Sequence, residues 1–173
     1  MIRPAFPLLA LAATLALTAP AFAHVSLAVP AAAAGSTYKA VLQVPHGCDG
    51  AATTAIKVRI PEGYFNVKPM PKAGWTVETT KEAYEKPYEQ HGSTITEGVT
   101  TITWSGGELP DDFYDEFVFR GTLAADLPEG TILTFPTVQI CGAAEEAWID
   151  VTGDSDAQMP APALTVTPAG HQH

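Results

Sequence analysis

The residue with the clearest chemical potential is His24, because it follows a segment that we expect to be removed from the chain. Cleavage after Ala23 would make histidine the first residue of the mature protein. An N-terminal histidine offers two nitrogens, the free α-amine and the ring Nδ1, which can chelate one metal ion. An internal histidine has no free amine, so the cleavage position decides whether this chelate exists.

Residues 1–23 have the three parts of a secretory signal peptide. Arg3 gives a positive start, an apolar run extends over Phe6–Leu17, and Ala21–Ala23 has the small residues of a signal-peptidase site. The apolar run is shorter than the ~20 residues of a membrane-spanning helix. We therefore expect an exported protein that is cleaved after this segment and has no stable membrane insertion.

The composition after residue 23 describes one acidic domain. Removing 23 of the 173 residues leaves 150, which is enough for a single hydrophobic core. Without Arg3, eight of the nine Lys and Arg remain against 19 Asp and Glu, a net charge of about −11. This charge argues against nucleic acid and anionic membranes as partners, because both would be repelled.

The chain has two cysteines, Cys48 and Cys141. In a small exported domain an even pair of cysteines is typical of a disulfide. Their separation also differs from the CxxC spacing of zinc and redox sites. We therefore expect a Cys48–Cys141 disulfide, which would stabilise the fold by up to ~4 kcal/mol in the chain-entropy model.

The apolar residues after residue 23 recur with a period of two, and no stretch has the pattern of a long amphipathic helix. Fifteen prolines and 14 glycines punctuate the pattern. It predicts ten strands: Val25–Val29, Tyr38–Val44, Thr54–Ile60, Phe65–Val67, Trp75–Thr80, Val99–Ser105, Glu116–Leu123, Ile132–Ile140, Ala147–Thr152 and Leu164–Thr167. These indicate an all-β protein, a β-sandwich of two antiparallel sheets, with a barrel as the alternative.

Two segments depart from the strand pattern. Lys81–Gly98 is long and polar, and we expect a hairpin or a mobile loop there, a solvated connection rather than a partner surface. After Val151 the composition shifts to Gly, Asp, Ser, Ala and Pro. We therefore assign the domain to residues 24–152, and a last strand and a flexible tail to residues 153–173.

Signatures of common enzyme classes are absent from the sequence. It contains no GxSxG, no HExxH and no phosphate-binding GxxxxGK[ST] motif. Paired cysteines also provide no nucleophile. The sequence therefore predicts a protein that is not an enzyme.

Several short motifs occur in a fairly specific order. They are His24–Leu27, Pro45–Cys48, Val67–Trp75, Thr103–Gly107, Leu109–Phe117, Phe135–Cys141 and Trp148. On these motifs the chain resembles the YcnI family of bacterial exported copper-binding proteins, also catalogued as a domain of unknown function. The resemblance extends from His24 to about Thr152.

The resemblance implies a fibronectin-III-like or cupredoxin-like β-sandwich that binds one Cu(II) through a mono-histidine brace. The brace corresponds to His24, with its α-amine and imidazole. The carboxylate corresponds best to Glu116, and the tryptophan beside the metal to Trp148. The alternatives are Glu108 and Asp112 for the carboxylate, and Trp104 for the tryptophan. The cysteine pair places the chain in a cysteine-containing branch of the family.

Copper also suits these donor atoms on chemical grounds. Two nitrogens and a carboxylate oxygen in one plane match a tetragonal Cu(II) ion, which leads the divalent affinity order. Only Met70 and Met159 would offer soft sulfur to Cu(I) in the mature chain. We therefore expect one Cu(II) per chain and weaker binding after reduction.

The resemblance favours a periplasmic copper chaperone or trafficking factor that acts with other periplasmic copper-handling proteins. One alternative is an oxidative copper enzyme, which would need a second histidine on the metal, either His46 or His91. Another is a β-sandwich partner-binding module without metal. His46, two residues before Cys48, is also a candidate neighbour of the site, and His171 with His173 could bind metal weakly.

Overall fold

The computed structural model describes residues 24–154 and 157–169. The predicted signal peptide and the final His171–His173 tail lie outside these residues. Within the described ranges, no helix is long and apolar enough to cross a membrane.

Alternating buried and exposed residues form the strands, as the period of two predicts. Twelve strands occur in the described residues: β1 (Ser26–Leu27), β2 (Ala31–Ala33), β3 (Thr37–Val44), β4 (Thr53–Arg59), β5 (Tyr64–Pro69), β6 (Thr76–Gln90), β7 (Ser93–Leu109), β8 (Asp115–Leu123), β9 (Ile132–Thr134), β10 (Thr137–Cys141), β11 (Ala144–Trp148) and β12 (Ala163–Thr167). The all-β prediction is confirmed.

The strands form two main sheets and one small sheet. The first sheet has the order β1-β3-β8-β5, and the second has the order β11-β10-β4-β7-β6. All pairs in these two sheets are antiparallel, which confirms the predicted β-sandwich. The sequence did not predict the third sheet, β2-β12-β9, in which β12 pairs with β2 in parallel.

Aromatic side chains fill the core between the sheets. Trp104 of β7 is fully buried and contacts the Phe117 ring edge-on, with centroids 5.4 Å apart. Phe135 and Phe119 lie 5.8 Å apart, and Tyr64 contacts both of these rings. Full burial of such a side chain contributes about 1.5–3 kcal/mol each.

The segment Lys81–Gly98 is part of a long hairpin. For this segment the sequence predicted a hairpin or a mobile loop, and the hairpin is the one that is confirmed. β6 and β7 pair from Thr76 to the turn at His91–Gly92, where both φ angles are positive, 51° and 76°. Two successive residues of this kind are typical of the type I′ turns that close β-hairpins. The Tyr88 ring stacks on Phe65 at 4.4 Å and anchors the hairpin to the sandwich.

The strands of the structure differ from the predicted strands at three further places. Ile132–Ile140 is two strands, because the chain leaves the third sheet at Pro136, which has no N–H to donate, and joins the second. β2 consists of three alanines, which carry no alternating pattern. The predicted Ala147–Thr152 strand instead ends at Trp148 and begins at Ala144, in a segment where two glutamates conceal the apolar period.

Candidate metal centre

His24 lies two residues before β1, at the start of the described chain. Its neighbour Val25 is buried at 2% exposure, whereas His24 and Ser26 are exposed. The imidazole contacts the indole of Trp148 edge-on, with ring centroids 5.6 Å apart and planes at 79°. The structure therefore brings together the predicted brace residue and the first-choice tryptophan.

Trp148 ends β11 and is held by a buried hydrogen bond. Its side chain is 3% exposed, and its Nε1 donates to Oε1 of Gln139 over 3.2 Å. Gln139, 1% exposed, donates from Nε2 to the His46 carbonyl at 2.7 Å and to Oγ1 of Thr53 at 2.8 Å. Because the buried amide satisfies these polar groups, it fixes the indole that contacts His24.

The predicted disulfide between Cys48 and Cys141 is present, with Cα atoms 6.0 Å apart. It joins the loop after β3 to the end of β10. Within the loop, Cys48 and Ala51 exchange two backbone hydrogen bonds, of 2.9 and 2.8 Å. Oγ1 of Thr53 lies 3.6 Å from Sγ of Cys141, so the disulfide adjoins the polar group centred on Gln139.

Glu116 lies on the outward face of the first sheet. The register pairs Ser26 with Gln43, and Gln43 with Glu116, across β1, β3 and β8. Gln43 donates from Nε2 to Oε1 of Glu116 over 3.2 Å. His24 lies two residues before β1 and outside this register, so these pairings do not bring Glu116 next to it.

The alternative residues occupy different positions. Glu108 is exposed in β7, one residue before the strand ends, and Asp112 is exposed in the following turn. Trp104 is fully buried and donates from Nε1 to the Met70 carbonyl at 3.4 Å. Its other contacts are core aromatic rings, so Trp104 belongs to the core of the sandwich.

His46 belongs to a second polar cluster that the sequence did not reveal. Its Nδ1 lies 2.6 Å from the Gly47 carbonyl oxygen and 3.9 Å from Oδ1 of Asp111. Oδ1 of Asp111 and Oε2 of Glu146 are buried without a hydrogen-bond partner in the described structure. Burial raises the pKa of Glu146; His46 opposes this, and the charges of Asp49 and Asp111 add to it.

Glu146 was missed because the sequence offers two adjacent glutamates with nothing to distinguish them. The sequence did contain one signal, the spacing of two residues between Glu146 and Trp148, because residues two apart in a strand lie on the same face. Glu146 pairs with Gln139 in the register of β11 and β10. The cluster is therefore connected to Trp148 through Gln139.

The described side chains do not form a conventional metal site. Across residues 24–154 and 157–169, no group of three or more His, Cys, Asp or Glu residues is arranged to hold a metal ion. A brace differs from such a group, because His24 would supply two of the ligands and one of them is its main-chain amine. His91 lies in the turn between β6 and β7 and is exposed.

The fold and this site define an immunoglobulin-like β-sandwich domain. One similar solved structure is the crystal structure of an uncharacterised protein from Nocardia farcinica, described as having an immunoglobulin-like fold. It is 25% identical, covers 83% of this chain and 98% of its own, and gives a TM-score of 0.61. The chain belongs to the family called Domain of unknown function (DUF1775), whose model matches residues 24–166. No curated protein matches the chain.

Proposed function

We propose that the mature protein binds one Cu(II) in the bacterial periplasm and acts there as a copper chaperone or trafficking factor. The observation that carries the proposal is the contact of the His24 imidazole with buried Trp148, at the residue that follows the predicted cleavage site. Copper is the cargo in this account. The α-amine and Nδ1 of His24 would chelate it, and Glu116 would complete the site.

The residues around His24 fit this cargo. Nitrogen and carboxylate donors are suited to Cu(II), and Glu116 would have to reach the metal past Gln43 of β3, which separates it from β1. The Nε1 hydrogen of Trp148 is already bonded to Gln139, so the indole offers an aromatic surface. We infer that this surface covers one side of the metal and limits access of water.

The proposal also defines a pH dependence. A free α-amine has a pKa of ~7.7 to 8.0 and must lose its proton to bind a metal. Affinity for Cu(II) should therefore rise with pH up to about that range. Acetylation of the α-amine converts it to an amide and should remove this dependence.

No specific observation favours an oxidative copper enzyme over copper binding without catalysis. An oxidative copper enzyme would need a second histidine ligand; His91 lies in the hairpin turn, and His46 lies in the polar cluster with Asp111. A partner-binding module without metal gives no role to the His24–Trp148 contact. We therefore keep copper binding without catalysis as the proposal.

A Cu(II) titration against a competing chelator tests the site. His24→Ala should remove tight binding and leave the thermal unfolding of the metal-free protein unchanged. Glu116→Gln should weaken binding by at least about tenfold, because a neutral amide replaces the anionic ligand.

Three carboxylate variants are the matched controls: Glu108→Gln, Asp112→Asn and Glu146→Gln. Each should change the affinity by less than about threefold. Tight binding by His24→Ala would contradict the brace, and an equal loss in all four carboxylate variants would contradict the assignment of Glu116.

A further inference from the structure

Three cations form a row across the exposed face of the first sheet, and we call them the basic row: Lys39 of β3, Arg120 of β8 and Lys68 of β5. The register pairs Arg120 with Lys39 on one side and with Lys68 on the other. All three are exposed. Adjacent strands lie about 4.8 Å apart, so like charges stand side by side, an arrangement that destabilises a sheet.

Within the part of the chain that the structure describes, no carboxylate forms an ion pair with the basic row. Among the described residues, the ion pairs formed by lysine are Lys72 with Asp115 and Lys86 with Asp126, and none involves the row. The row nevertheless contains three of the eight cations that follow residue 23, in a chain with 19 acidic residues. This concentration of unpaired positive charge is complementary to an acidic ligand.

An apolar cleft of about 280 Å³ adjoins the basic row. Besides the three cations, it is lined by Pro69, Met70, Pro71, Val118 and Phe119. The backbone of Met70 is fixed, because its N–H donates to the Val118 carbonyl at 2.8 Å, yet its side chain is 52% exposed. A methionine of this kind adapts readily to an apolar side chain of a partner.

We propose that this face docks an acidic segment of a partner protein, with carboxylates on the basic row and an apolar side chain in the cleft. A short segment interacts mainly with the row, since charges beyond a Debye length of ~8 Å are screened. Nucleic acid and an anionic membrane extend much further and would meet the negative charge of the rest of the molecule. Charge complementarity therefore favours an acidic polypeptide.

The basic row lies on the same outward face as the candidate copper ligand Glu116. Arg120 follows Glu116 by four residues in β8, which corresponds to about 13 Å along the strand. A partner docked on the basic row would extend along β8 towards Glu116. This relation to copper transfer rests on the proposed function, whereas the docking surface does not.

Fluorescence anisotropy with a labelled peptide, acetyl-Glu-Glu-Asp-Leu-Val-Asp-Glu-Glu-amide, tests the surface in the protein that begins at His24. Binding should weaken by at least about tenfold in the triple variant Lys39→Glu, Lys68→Glu, Arg120→Glu, and should weaken as salt increases. The matched control is Lys57→Glu, Arg59→Glu, Lys81→Glu, which changes the net charge equally on the second sheet. The control should change binding by less than about twofold.

Several results would overturn the proposal. One is an equal loss of peptide affinity in both triple variants. Another is unchanged affinity for a peptide that carries Ser-Gly in place of Leu-Val. A third is self-association of the protein that is abolished in the row variant and persists in the control. Binding of phosphatidylglycerol vesicles that is lost in the row variant would also overturn it, because the occupant would then be a membrane. Thermal unfolding confirms that each variant is folded.

A separate comparison distinguishes this proposal from the copper proposal. The peptide should bind the His24→Ala variant as tightly as the unchanged protein, both without copper. Loss of copper binding with intact peptide binding would contradict only the proposed function. Loss of peptide binding in His24→Ala would contradict an independent docking surface.

Discussion

The side-chain amide of Gln139 connects the three features of the candidate site. It accepts a hydrogen bond from Trp148, donates to the loop at His46, and donates to Thr53 beside the disulfide. A buried polar group that satisfies several partners is costly to remove, because each partner is left without its hydrogen bond. The position of Trp148, and hence its contact with His24, depends on this residue.

Gln139→Leu should lower the free energy of unfolding by about 2 kcal/mol, because the indole N–H of Trp148 and the His46 carbonyl lose their partner in the core. Urea unfolding followed by tryptophan fluorescence measures this loss. Gln90→Leu is the control: Gln90 is only partly buried and bonds Thr122 at 2.8 Å. Its cost should stay within about 0.5 kcal/mol, and equal costs would refute the role of Gln139.

Glu146→Gln should change how stability depends on pH. Burial raises the pKa of Glu146 above its ordinary 4.5, so the folded protein binds this proton more tightly than the unfolded chain. The resulting stability is present below pH 4.5 and is lost as pH rises through the folded-state pKa. The variant should therefore be relatively more stable at pH 7 than at pH 4, compared with the unchanged protein.

Thermal unfolding at a series of pH values measures this difference. Glu145→Gln is the matched control, since Glu145 is exposed in the same strand. It should leave the pH profile unchanged. A profile for Glu146→Gln that coincides with that of the unchanged protein would contradict the account of Glu146.

Gln139 and Glu146 also show why the sequence predicted only part of the site. A cleavage motif and a family resemblance indicated His24 and Trp148, and their rings are in contact in the structure. In β10 the hydrophobic pattern favours Val138 and Ile140 as core residues, but Thr137, Gln139 and Cys141 are the buried ones. The disulfide and the hydrogen bonds of Gln139 determine this orientation, and both are long-range contacts.

Among the elements, the β6–β7 hairpin departs most from a simple sandwich. Both strands continue past the core, and their outer parts are largely exposed. Tyr88 holds this extension through the Phe65 ring and through a 2.6 Å hydrogen bond from its hydroxyl to Glu62. The outer hairpin is therefore held by its turn, by Tyr88, and by hydrogen bonds of Asn66 with Tyr84 and Gln90.

Substitutions in the turn should act in opposite directions. Gly92→Ala should destabilise the hairpin by about 1 kcal/mol, because φ is 76° there and L-residues avoid this region. No atom lies within 4 Å of the added methyl, so the cost is one of backbone conformation alone. His91→Asn should be neutral or stabilising, since asparagine tolerates a positive φ.

Amide hydrogen exchange over residues 81–98 measures the hairpin's stability. Faster exchange in Gly92→Ala with unchanged exchange in β3 and β8 is the expected result. Slower exchange in Gly92→Ala, or a matching acceleration in β3 and β8, would contradict a local role of the turn.

At this scale the period of two predicted most strands, because each main strand has one face on the core. It failed where strands carry no alternating pattern, as in the alanines of β2, and where Pro136 transfers the chain between sheets. The outer hairpin is polar on both faces, so composition alone did not distinguish strand from loop. Pairing with a neighbouring strand decided its conformation.

At the scale of the whole molecule, the relevant features are the net charge and the proposed copper cargo. The chain is acidic overall, leaves one basic row exposed, and places that row on the face that also carries Glu116. The family match and the immunoglobulin-like fold define the scaffold, and the mature N-terminus would supply its chemistry. The central claim therefore concerns the first atom of the mature chain.

Electron paramagnetic resonance of bound Cu(II) tests this claim most directly, in the protein that begins at His24 and in the same protein with its α-amine acetylated. The account predicts hyperfine coupling from two nitrogens in the first form. It predicts loss of the amine coupling and at least about tenfold weaker binding in the second form. Identical spectra and affinities would place copper elsewhere and contradict the brace.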